Sequence, residues 1–386
     1  MVIRERTPNC SVTRYLVLDV ETTIGNNADP FDSNNRLICI GWVNSEGLGG
    51  CDHALNPAYF QELIDSHDVI VGCNLKFDLH WLKRFGLDFG KKKLYDISVA
   101  EYILSHQKHT FPSLNDMASA MLGERKLDIV MENYWSKGID TDKIPFDVLS
   151  DYCKQDCVLT MKIAKLQMEK TPEYQKTIIS LAMQDLAVLQ EMEWNGLCFD
   201  RERANSEAEA ALKEKEEIIE RLKGRTKVPE MFNWNSTKQL SALLFGGKIT
   251  YAEKIPNGVW KSGKRENQVK FKTVETTYSF VRQYNPLNGT ETNVPGVWST
   301  DEEHLTKLGK DGIVTDILRI RAIEKLIGTY LLKLPALQDE HNWGHKYIHG
   351  QFNQTTTATG RLASSRPNLQ NFPPEANRLI VSRYGA

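Results

Sequence analysis

No apolar run in the 386-residue sequence is long enough to cross a bilayer, and the first residues lack the apolar core of a signal peptide. The 7 cysteines include no Cys-x-x-Cys pair. Cys153 and Cys157 are four residues apart, but no second ligand pair with zinc spacing follows them. We therefore expect reduced thiols in a cytoplasmic protein that has no structural zinc and no membrane partner.

An excess of positive charge, which would point to nucleic acid, is also missing. The chain has 48 Lys and Arg against 50 Asp and Glu, a formal net charge of −2. Any contact with DNA must therefore come from local basic patches. A hydrophobic fraction of 41% and a charged fraction of 25% are typical of folded protein with a sizeable core. The length predicts two or three domains.

The first part of the sequence alternates between the patterns of strands and helices. Short β-branched and aliphatic runs at residues 15–20, 36–43 and 68–72 predict three strands. Helical patterns follow at residues 75–85 and from Ser150, a candidate N-cap, to about residue 169. This alternation is typical of an α/β domain.

From residue 171 the pattern is almost purely helical. Apolar residues at helical spacing continue to Asn195-Gly196, a helix stop, and further helices are predicted at residues 200–223, 236–245 and 312–334. Thr300-x-x-Glu303 has the form of a capping box that opens another helix. The last long helix is expected to close before Pro335.

Between Gly246 and Trp298 the composition changes to Gly, Asn, Thr, Lys and aromatic residues, and we predict a β-rich or irregular insertion in the helical region. It contains a cluster of basic residues, namely Lys254, Lys261, Lys264, Arg265, Lys270 and Lys272. Two interpretations stay open for this cluster: a solvated loop, or a patch that contacts phosphates.

Acidic residues follow two of the predicted strands. Asp19 and Glu21 end the first strand, and carboxylates separated by one residue point to the same side of a strand. Side by side they repel unless a cation lies between them. Asp78 lies where a helix follows the third strand, and Tyr152 and Asp156, at i and i+4, share one face of a helix.

Each of the last three residues also has an ordinary structural explanation when it is taken alone. Asp78 could cap its helix or pair with Lys76 or Lys83. Tyr152 could be a core residue of an amphipathic helix, and Asp156 could be a surface acid. The order of the motifs along the chain is therefore more informative than any single residue.

Taken together, the three motifs resemble the DEDD exonucleases, specifically the subgroup that carries a tyrosine. They are Asp19-Val20-Glu21, Asn74-Leu75-Lys76-Phe77-Asp78 and Tyr152-Cys153-Lys154-Gln155-Asp156. The resemblance implies a ribonuclease H-like 3′–5′ exonuclease domain at residues 1–170. It also implies two divalent metal ions, Mg²⁺ or Mn²⁺, because phosphodiester hydrolysis needs an activated water and neutralised phosphate charge.

The resemblance also implies a role for each residue of this set. Asp19, Glu21 and Asp156 would hold one metal ion, and Asp19 would also hold the second, with Asp78 acting through water. Tyr152 would orient the attacking water. A phenol with a pKa near ~10 is a poor base at neutral pH, so the metal ions would supply most of the activation.

The run from Thr357 to Asn371 resembles the primer-gripping motif of family A DNA polymerases. Residues 233–240 resemble the Asn-x-x-Ser-x-Lys-Gln-Leu pattern of the thumb in that family. The resemblance implies that the α/β exonuclease domain is followed by a mainly α-helical thumb at residues 171–340, with an insertion at about 247–297, and by the start of a palm at residues 341–386. The DNA-binding residues that it implies are Asn74, Phe77, Lys238, Thr359, Arg361, Asn368 and Gln370.

Two of these residues have a chemical rationale. Phe77 would stack on a base of the single strand that it lines with Asn74. Arg361 could donate to minor-groove acceptors that every correct base pair offers, which would sense pairing without reading sequence. The alternative for Arg361 is a polar loop in which it contacts a phosphate.

After Asn371 the sequence departs from the family pattern. The palm metal motif, the fingers helix with its nucleotide-binding lysine and the second palm aspartate do not follow. We therefore expect a split or truncated polymerase of phage type, acting in the host cytoplasm. Its partners would be the single-stranded 3′ end, primer–template duplex, and a second polypeptide with palm and fingers. Residues 379–381 would form a palm strand that needs covering.

Two alternatives to a polymerase part stay open. The first is a free-standing 3′–5′ exonuclease that acts on DNA or RNA. The second is a noncatalytic DNA-binding subunit, against which the intact acidic set argues.

Overall fold

A computed structural model describes residues 13–90, 92–261, 267–309 and 312–384. The chain forms two compact units: Met1–Arg201 together with Leu334–Ala386, and Glu202–Lys333. None of the helices in the described ranges is both long and apolar enough to span a bilayer.

A mixed five-stranded sheet forms the centre of the first unit. Its strands are β1 (Tyr15–Thr22), β2 (Leu37–Asn44), β3 (Gly49–His53), β4 (Val69–Gly72) and β5 (Lys93–Asp96). The spatial order is β3-β2-β1-β4-β5. The first three strands pair antiparallel, whereas β1, β4 and β5 run parallel. The three predicted strands are confirmed, and β3 and β5 are additional edge strands.

The apolar runs of the strands explain the burial of this sheet. Leu16, Val17 and Ile70 are fully buried, and β4 is buried along its whole length. Helices pack against this sheet. They are α1 (Gly25–Ala28), α2 (Pro57–Asp65), α3 (Leu75–Arg84), α4 (Ile97–Leu104), α5 (Leu114–Leu122), α6 (Ile129–Asn133), α7 (Phe146–Lys170) and α8 (Glu173–Asn195). The short 3₁₀ turns Trp135–Lys137 and Thr141–Lys143 precede α7.

Helix α7 packs directly on β2 because Gly41 has no side chain. A Cβ atom at this position would lie 2.5 Å from Cys153 Sγ and 3.0 Å from Cys157 Sγ, which is too close for real contacts. The absence of a side chain therefore lets the helix approach the sheet. The helix begins at Phe146, after Pro145, and not at the predicted cap Ser150. Pro145 supplies no N–H and is well suited to the residue before a helix.

The first unit also contains the end of the chain. It includes α13 (Lys333–Glu340), β9 (Tyr347–Ile348), β10 (Gln351–Asn353), β11 (Ala363–Ser365) and α14 (Pro374–Asn377). Strand β6 (Leu197–Cys198) pairs with β9, and β10 pairs with β11. Pro335 does not close the helical region as predicted, because it lies in the first turn of α13, where its missing N–H would have no partner anyway.

The expected unpaired palm strand at residues 379–381 is a wrong prediction. Ile380 forms an antiparallel bridge with Phe199, and Val381 N donates to Cys198 O at 2.9 Å. The Leu379 side chain is fully buried. The pairing partner is distant in the sequence, so a local pattern could not reveal it.

The second unit is mainly helical and carries a long hairpin. Its helices are α9 (Arg201–Thr226), α10 (Thr237–Phe245), α11 (Glu302–Lys307) and α12 (Gly312–Leu326), followed by the π-helical turn Ile327–Leu331. Bidentate hydrogen bonds from Arg221 to Asp316, at 3.0 and 2.7 Å, join α9 to α12. The capping-box prediction is wrong in its cap residue: Asp301, not Thr300, accepts from His304 N at the start of α11.

The insertion is a two-stranded hairpin of β7 (Gly247–Val259) and β8 (Val269–Phe280). Its strands are exposed along most of their length. Among the predicted basic cluster, Lys254, Lys270 and Lys272 lie on this hairpin and are exposed, and Lys270 Nζ lies 5.2 Å from the Trp260 ring centre. Lys261 follows β7, whereas Lys264 and Arg265 lie outside the described residues.

A buried carboxylate in the first unit joins α3, α8 and β10. Glu193, only 3% exposed, accepts from Lys76 Nζ at 2.5 Å, from Phe352 N at 2.5 Å and from His80 Nε2 at 2.8 Å. Lys76 Nζ also donates to Phe352 O. Burial alone would raise the pKa of Glu193, but the hydrogen bond from His80 and the charge of Lys76 outweigh it and lower that pKa.

We predict that Glu193→Gln destabilises the first unit by about 3 kcal/mol, because it leaves the ammonium group of Lys76 buried without its counter-charge. The measurement is the free energy of unfolding from urea titration. Glu191→Gln is the matched control, because Glu191 is on the same helix, is 53% exposed and pairs with Lys83 at the surface. It should cost at most about 1 kcal/mol. Equal effects of the two substitutions would contradict the prediction.

Candidate active site

Strand β1 places two carboxylates on one side of the sheet. Asp19 lies opposite Gly41 of β2, and Glu21 lies opposite Cys39. Alternation along the strand directs both side chains to the same face, as the sequence predicted. Glu21 is 7% exposed, so its carboxyl group has little contact with water.

Helix α3 adds the third carboxylate. Asp78 lies in the first turn of the helix and is 3% exposed. Its Oδ1 atom accepts from Val20 N of β1 at 3.1 Å. This bond fixes the helix to the residue between Asp19 and Glu21. The predicted alternative in which Asp78 pairs with a neighbouring lysine does not apply to Lys76, whose ammonium group contacts Glu193 instead.

Helix α7 supplies Tyr152 and Asp156, one helical turn apart and 4% and 2% exposed. Asp156 is therefore not a surface acid. Cys153 lies between them on the helix, and its thiol donates to Asp19 Oδ2 at 3.5 Å. The edge of the Trp135 ring meets the Tyr152 ring at a centre-to-centre distance of 5.7 Å. The structure thus brings together all five residues that were predicted to be catalytic.

Burial and mutual repulsion make ionisation of the carboxyl groups at this site unfavourable. Burial, followed by the charge of Asp156, raises the pKa of Asp19 to about 7. Burial and the charge of Asp19 raise the pKa of both Glu21 and Asp78 well above their usual range. Without added positive charge, the carboxyl groups cannot all be ionised at neutral pH.

Lys126, which sequence reasoning missed, supplies positive charge at one side of the site. Its ammonium group contacts Asp156 Oδ2 and lies 4.4 Å from the centre of the Tyr152 ring. Burial disfavours this charge, but the attraction of Asp156 and Tyr152 outweighs it and raises the pKa of Lys126. Lys126 precedes α6 in a segment without a motif, so the sequence carried no signal for it.

The donor set suits a hard divalent cation. The ligand atoms of Asp19, Glu21 and Cys153 lie within 4.8 Å of one another. Asp156 Oδ1 is buried and has no hydrogen-bond partner among the described residues, so one carboxylate oxygen at this site is available to a cation. Carboxylate oxygens are the ligands that Mg²⁺ and Mn²⁺ prefer. The residues therefore fit the predicted metal ions.

Asn74 and Phe77 line a neighbouring cleft of about 430 Å³. Asn74 has a left-handed backbone, with φ of 58°, at the residue before α3. Asp96 fixes this turn because its carboxylate accepts from Leu75 N at 2.8 Å and from Ser98 N at 2.8 Å. Asp96, which belongs to β5 and caps α4, is thus structural.

The other predicted DNA-binding residues are exposed, each on the surface of its own unit. Thr359, Arg361, Asn368 and Gln370 are exposed in segments on either side of β11. Lys238 is exposed on α10 in the second unit. The Tyr102 hydroxyl of α4 donates to Thr357 O at 2.6 Å, which anchors the first of these segments to the α/β sheet domain. Their contact with DNA remains a prediction.

Comparison with protein-family models identifies the class of protein to which this fold and acidic site correspond. Residues 4–171 match a family model described as 3′–5′ exonuclease, so the α/β domain is of this nuclease class. Residues 276–383 match the model of DNA polymerase family A. The two ranges together cover more than two thirds of the chain. The resemblance to family A DNA polymerases that the sequence motifs indicated is confirmed over these two ranges.

Individual relatives agree with this assignment. DNA polymerase I of Synechocystis is 30% identical over 308 residues, covering 78% of this chain and 26% of the relative. The DNA polymerase of Escherichia phage T5 is 27% identical over 343 residues, covering 82% of this chain and 35% of the relative. The chain thus spans about a quarter to a third of the length of these relatives.

A solved structure has the same fold. It is described as the POL domain of Pol1 from M. smegmatis in complex with DNA primer-template and dNTP. The TM-score is 0.62 at 18% identity, and the match covers 95% of this chain and 54% of that one. The predicted fold class, an α/β exonuclease domain followed by a mainly helical polymerase-like region, is confirmed.

We predict that Mn²⁺ or Mg²⁺ raises the thermal unfolding temperature of the chain, and that Asp19→Asn combined with Glu21→Gln abolishes this rise. At 100 times the Kd the expected rise is about 5–10 °C. In EDTA the double variant should be at least as stable as the parent, because it lacks the carboxylate repulsion. Calorimetry in EDTA and in excess metal provides the measurement.

Asp151→Asn serves as the control for this experiment. Asp151 lies on α7 as Asp156 does, but its side chain is 77% exposed and pairs only with Lys154 among the ion pairs of the described residues. The control should keep the full response to metal. A metal-dependent rise that persists in the double variant would show that the cations bind elsewhere.

Proposed function

We propose that this chain is the 3′–5′ exonuclease and DNA-binding part of a family A DNA polymerase, and that it removes nucleotides from a single-stranded DNA 3′ end by two-metal hydrolysis. The proposed setting is the cytoplasm, that of the host cell if the source is a phage. The observation that carries the proposal is the convergence of the half-buried Asp19 with the buried Glu21, Asp78 and Asp156 at one face of the sheet.

This burial favours a hydrolytic site over a structural acidic cluster. Structural carboxylates in a core are usually paired with a cation or with several donors. Here Lys126 contacts Asp156, yet burial raises the pKa values of Asp156, Asp19, Glu21 and Asp78 alike. Such crowding is typical of sites that bind divalent cations.

Asp19, Glu21 and Asp156 would hold one divalent ion. Asp19 would also hold the second ion, and Asp78 would bind that ion through a water molecule. When bound, Mg²⁺ or Mn²⁺ would activate water and neutralise the charge of the phosphate. Burial raises the pKa of Tyr152, so its hydroxyl stays protonated and can orient a water molecule by hydrogen bonding. These residues therefore have different tasks although they lie in one site.

The substrate strand would approach along the cleft beside α3. Asn74 would bind the strand through its amide, and Phe77 would stack on a base. Primer–template duplex would be contacted by Lys238 and by Thr359, Arg361, Asn368 and Gln370. Palm and fingers residues, from a second polypeptide or from further sequence of a longer chain, would be needed for DNA synthesis.

Asp19→Ala combined with Glu21→Ala should abolish digestion of a 5′-labelled single strand. The loss of metal ligands removes several kcal/mol of charge stabilisation, so the rate should fall by at least about 10³-fold. Denaturing gels with Mg²⁺ or Mn²⁺, and with EDTA as a blank, give the rate. Asp151→Asn should digest normally. Unchanged digestion by the double variant would rule out this site, and inactivity of the parent chain with intact DNA binding would favour a noncatalytic subunit.

Arg361→Ala should weaken primer extension far more than single-strand digestion, because Arg361 would contact the primer end of a duplex. Extension is assayed with the chain alone and after addition of a candidate palm-and-fingers polypeptide. Incorporation is expected only in the mixture. Incorporation by the chain alone, or failure of such a polypeptide from the same source to associate, would refute a split polymerase.

Changing Lys254, Lys270 and Lys272 to Gln should reduce the salt dependence of duplex binding. Each lost phosphate contact lowers the slope of log affinity against log salt by about 0.9 for duplex DNA. The slope is measured by fluorescence anisotropy at several salt concentrations. Lys213→Gln, on α9 of the same unit, is the comparison variant. An unchanged slope in the triple variant would leave the hairpin as a solvated element or a protein-binding one.

A further inference from the structure

Three cysteines from three elements converge beside the carboxylates. Cys39 lies on β2, Cys51 on β3 and Cys153 on α7. Their sulfur atoms all lie within 4.8 Å of one another, and the residues are 0%, 8% and 0% exposed. They are 12 and 102 residues apart in the sequence, so their spacing gave no metal-ligand pattern.

We propose that Cys39, Cys51 and Cys153 form a binding site for a thiophilic divalent cation such as Zn²⁺, distinct from the oxygen site for Mg²⁺ or Mn²⁺. Around a tetrahedral zinc ion with Zn–S bonds near 2.3 Å, sulfur atoms are about 3.8 Å apart. The three sulfur atoms are thus close enough to bind one ion after small side-chain movements. Soft thiolate ligands select such cations over Mg²⁺.

The surroundings of the sulfur atoms suit a bound cation. Val130, Leu149 and Tyr152 pack around the cysteines and exclude water. Hydrogen bonds from Cys153 and Cys39 lower the pKa of the Cys51 thiol, whereas the pKa values of Cys39 and Cys153 are raised, so a bound cation would have to displace the protons of these two thiols.

The cluster lies near one edge of the sheet. Cys51 is the most exposed of the three, and β3 is an edge strand with exposed neighbours at Asp52 and His53. Binding exchanges thiol protons for the cation, the protons are released to the buffer, and no oxidant or reductant is needed.

Cys153 links this site to the oxygen site. Its sulfur atom belongs to the cluster of three cysteines and also to the cluster of ligand atoms formed with Asp19 and Glu21. A cation on the thiolates would remove the proton that Cys153 donates to Asp19. Occupancy of the sulfur site would thus change the electrostatics of the carboxylates, although the sulfur site itself does not depend on the proposed hydrolytic function.

The test uses Cd²⁺, whose thiolate complexes absorb in the ultraviolet, with the reduced full-length chain carrying Cys10→Ser because Cys10 lies outside the described residues. One equivalent of Cd²⁺ should give a saturable charge-transfer band with release of protons. The band should persist in excess Mg²⁺. Cys51→Ser and Cys39→Ser should each lower the affinity by at least about 10- to 100-fold.

Cys198→Ser is the matched control, because Cys198 is a buried thiol of β6 outside the cluster. It should leave the band and affinity unchanged. Circular dichroism in EDTA monitors whether each variant folds. If Cys39→Ser fails to fold, Cys51→Ser tests the proposal alone, because Cys51 lies on an edge strand. Absence of a saturable band, or a band of equal affinity in folded Cys51→Ser, would overturn the proposal.

Discussion

The repulsion between buried carboxyl groups is the constraint on which the first unit depends. Asp19 and Glu21 on β1, Asp78 on α3 and Asp156 on α7 would separate if the elements that carry them were free to move. They stay together because the backbone of Val20 binds Asp78 and because Gly41 admits α7 to the sheet. The packed core thus offsets the free energy that the site costs.

Two kinds of positive charge can relieve this repulsion, and they differ in what they can do. The ammonium group of Lys126 is attached to the chain and contacts Asp156 from one side. It cannot be shared among four carboxylates, whereas divalent cations with several oxygen ligands can. The buried free oxygen of Asp156 is consistent with this division, because Lys126 occupies the other oxygen of the same carboxylate.

The sequence predicted local features well and distant contacts poorly. The strand at Asp19, the helix that carries Tyr152 and Asp156, and the stop at Gly196 follow from short-range periodicity and from residue types that favour one backbone conformation. Lys126 could not be predicted, because it acts through residues about 30 positions away, and neither could the bridge between Phe199 and Ile380. The cap at Asp301 was missed by one residue, because Thr300 and Asp301 are both good cap formers.

The pairing of β6 with β9 has a consequence for how this protein can be divided. Leu197 and Ile348 are hydrogen-bonded neighbours although 151 residues separate them, and Glu202–Lys333 forms its own compact unit between them. A cut after Arg201 would remove β9 and β10, and with them the backbone donor that Glu193 receives from Phe352. The first unit is therefore a spatial entity with a discontinuous sequence, and joining its two segments by a short linker would preserve more of it than truncation would.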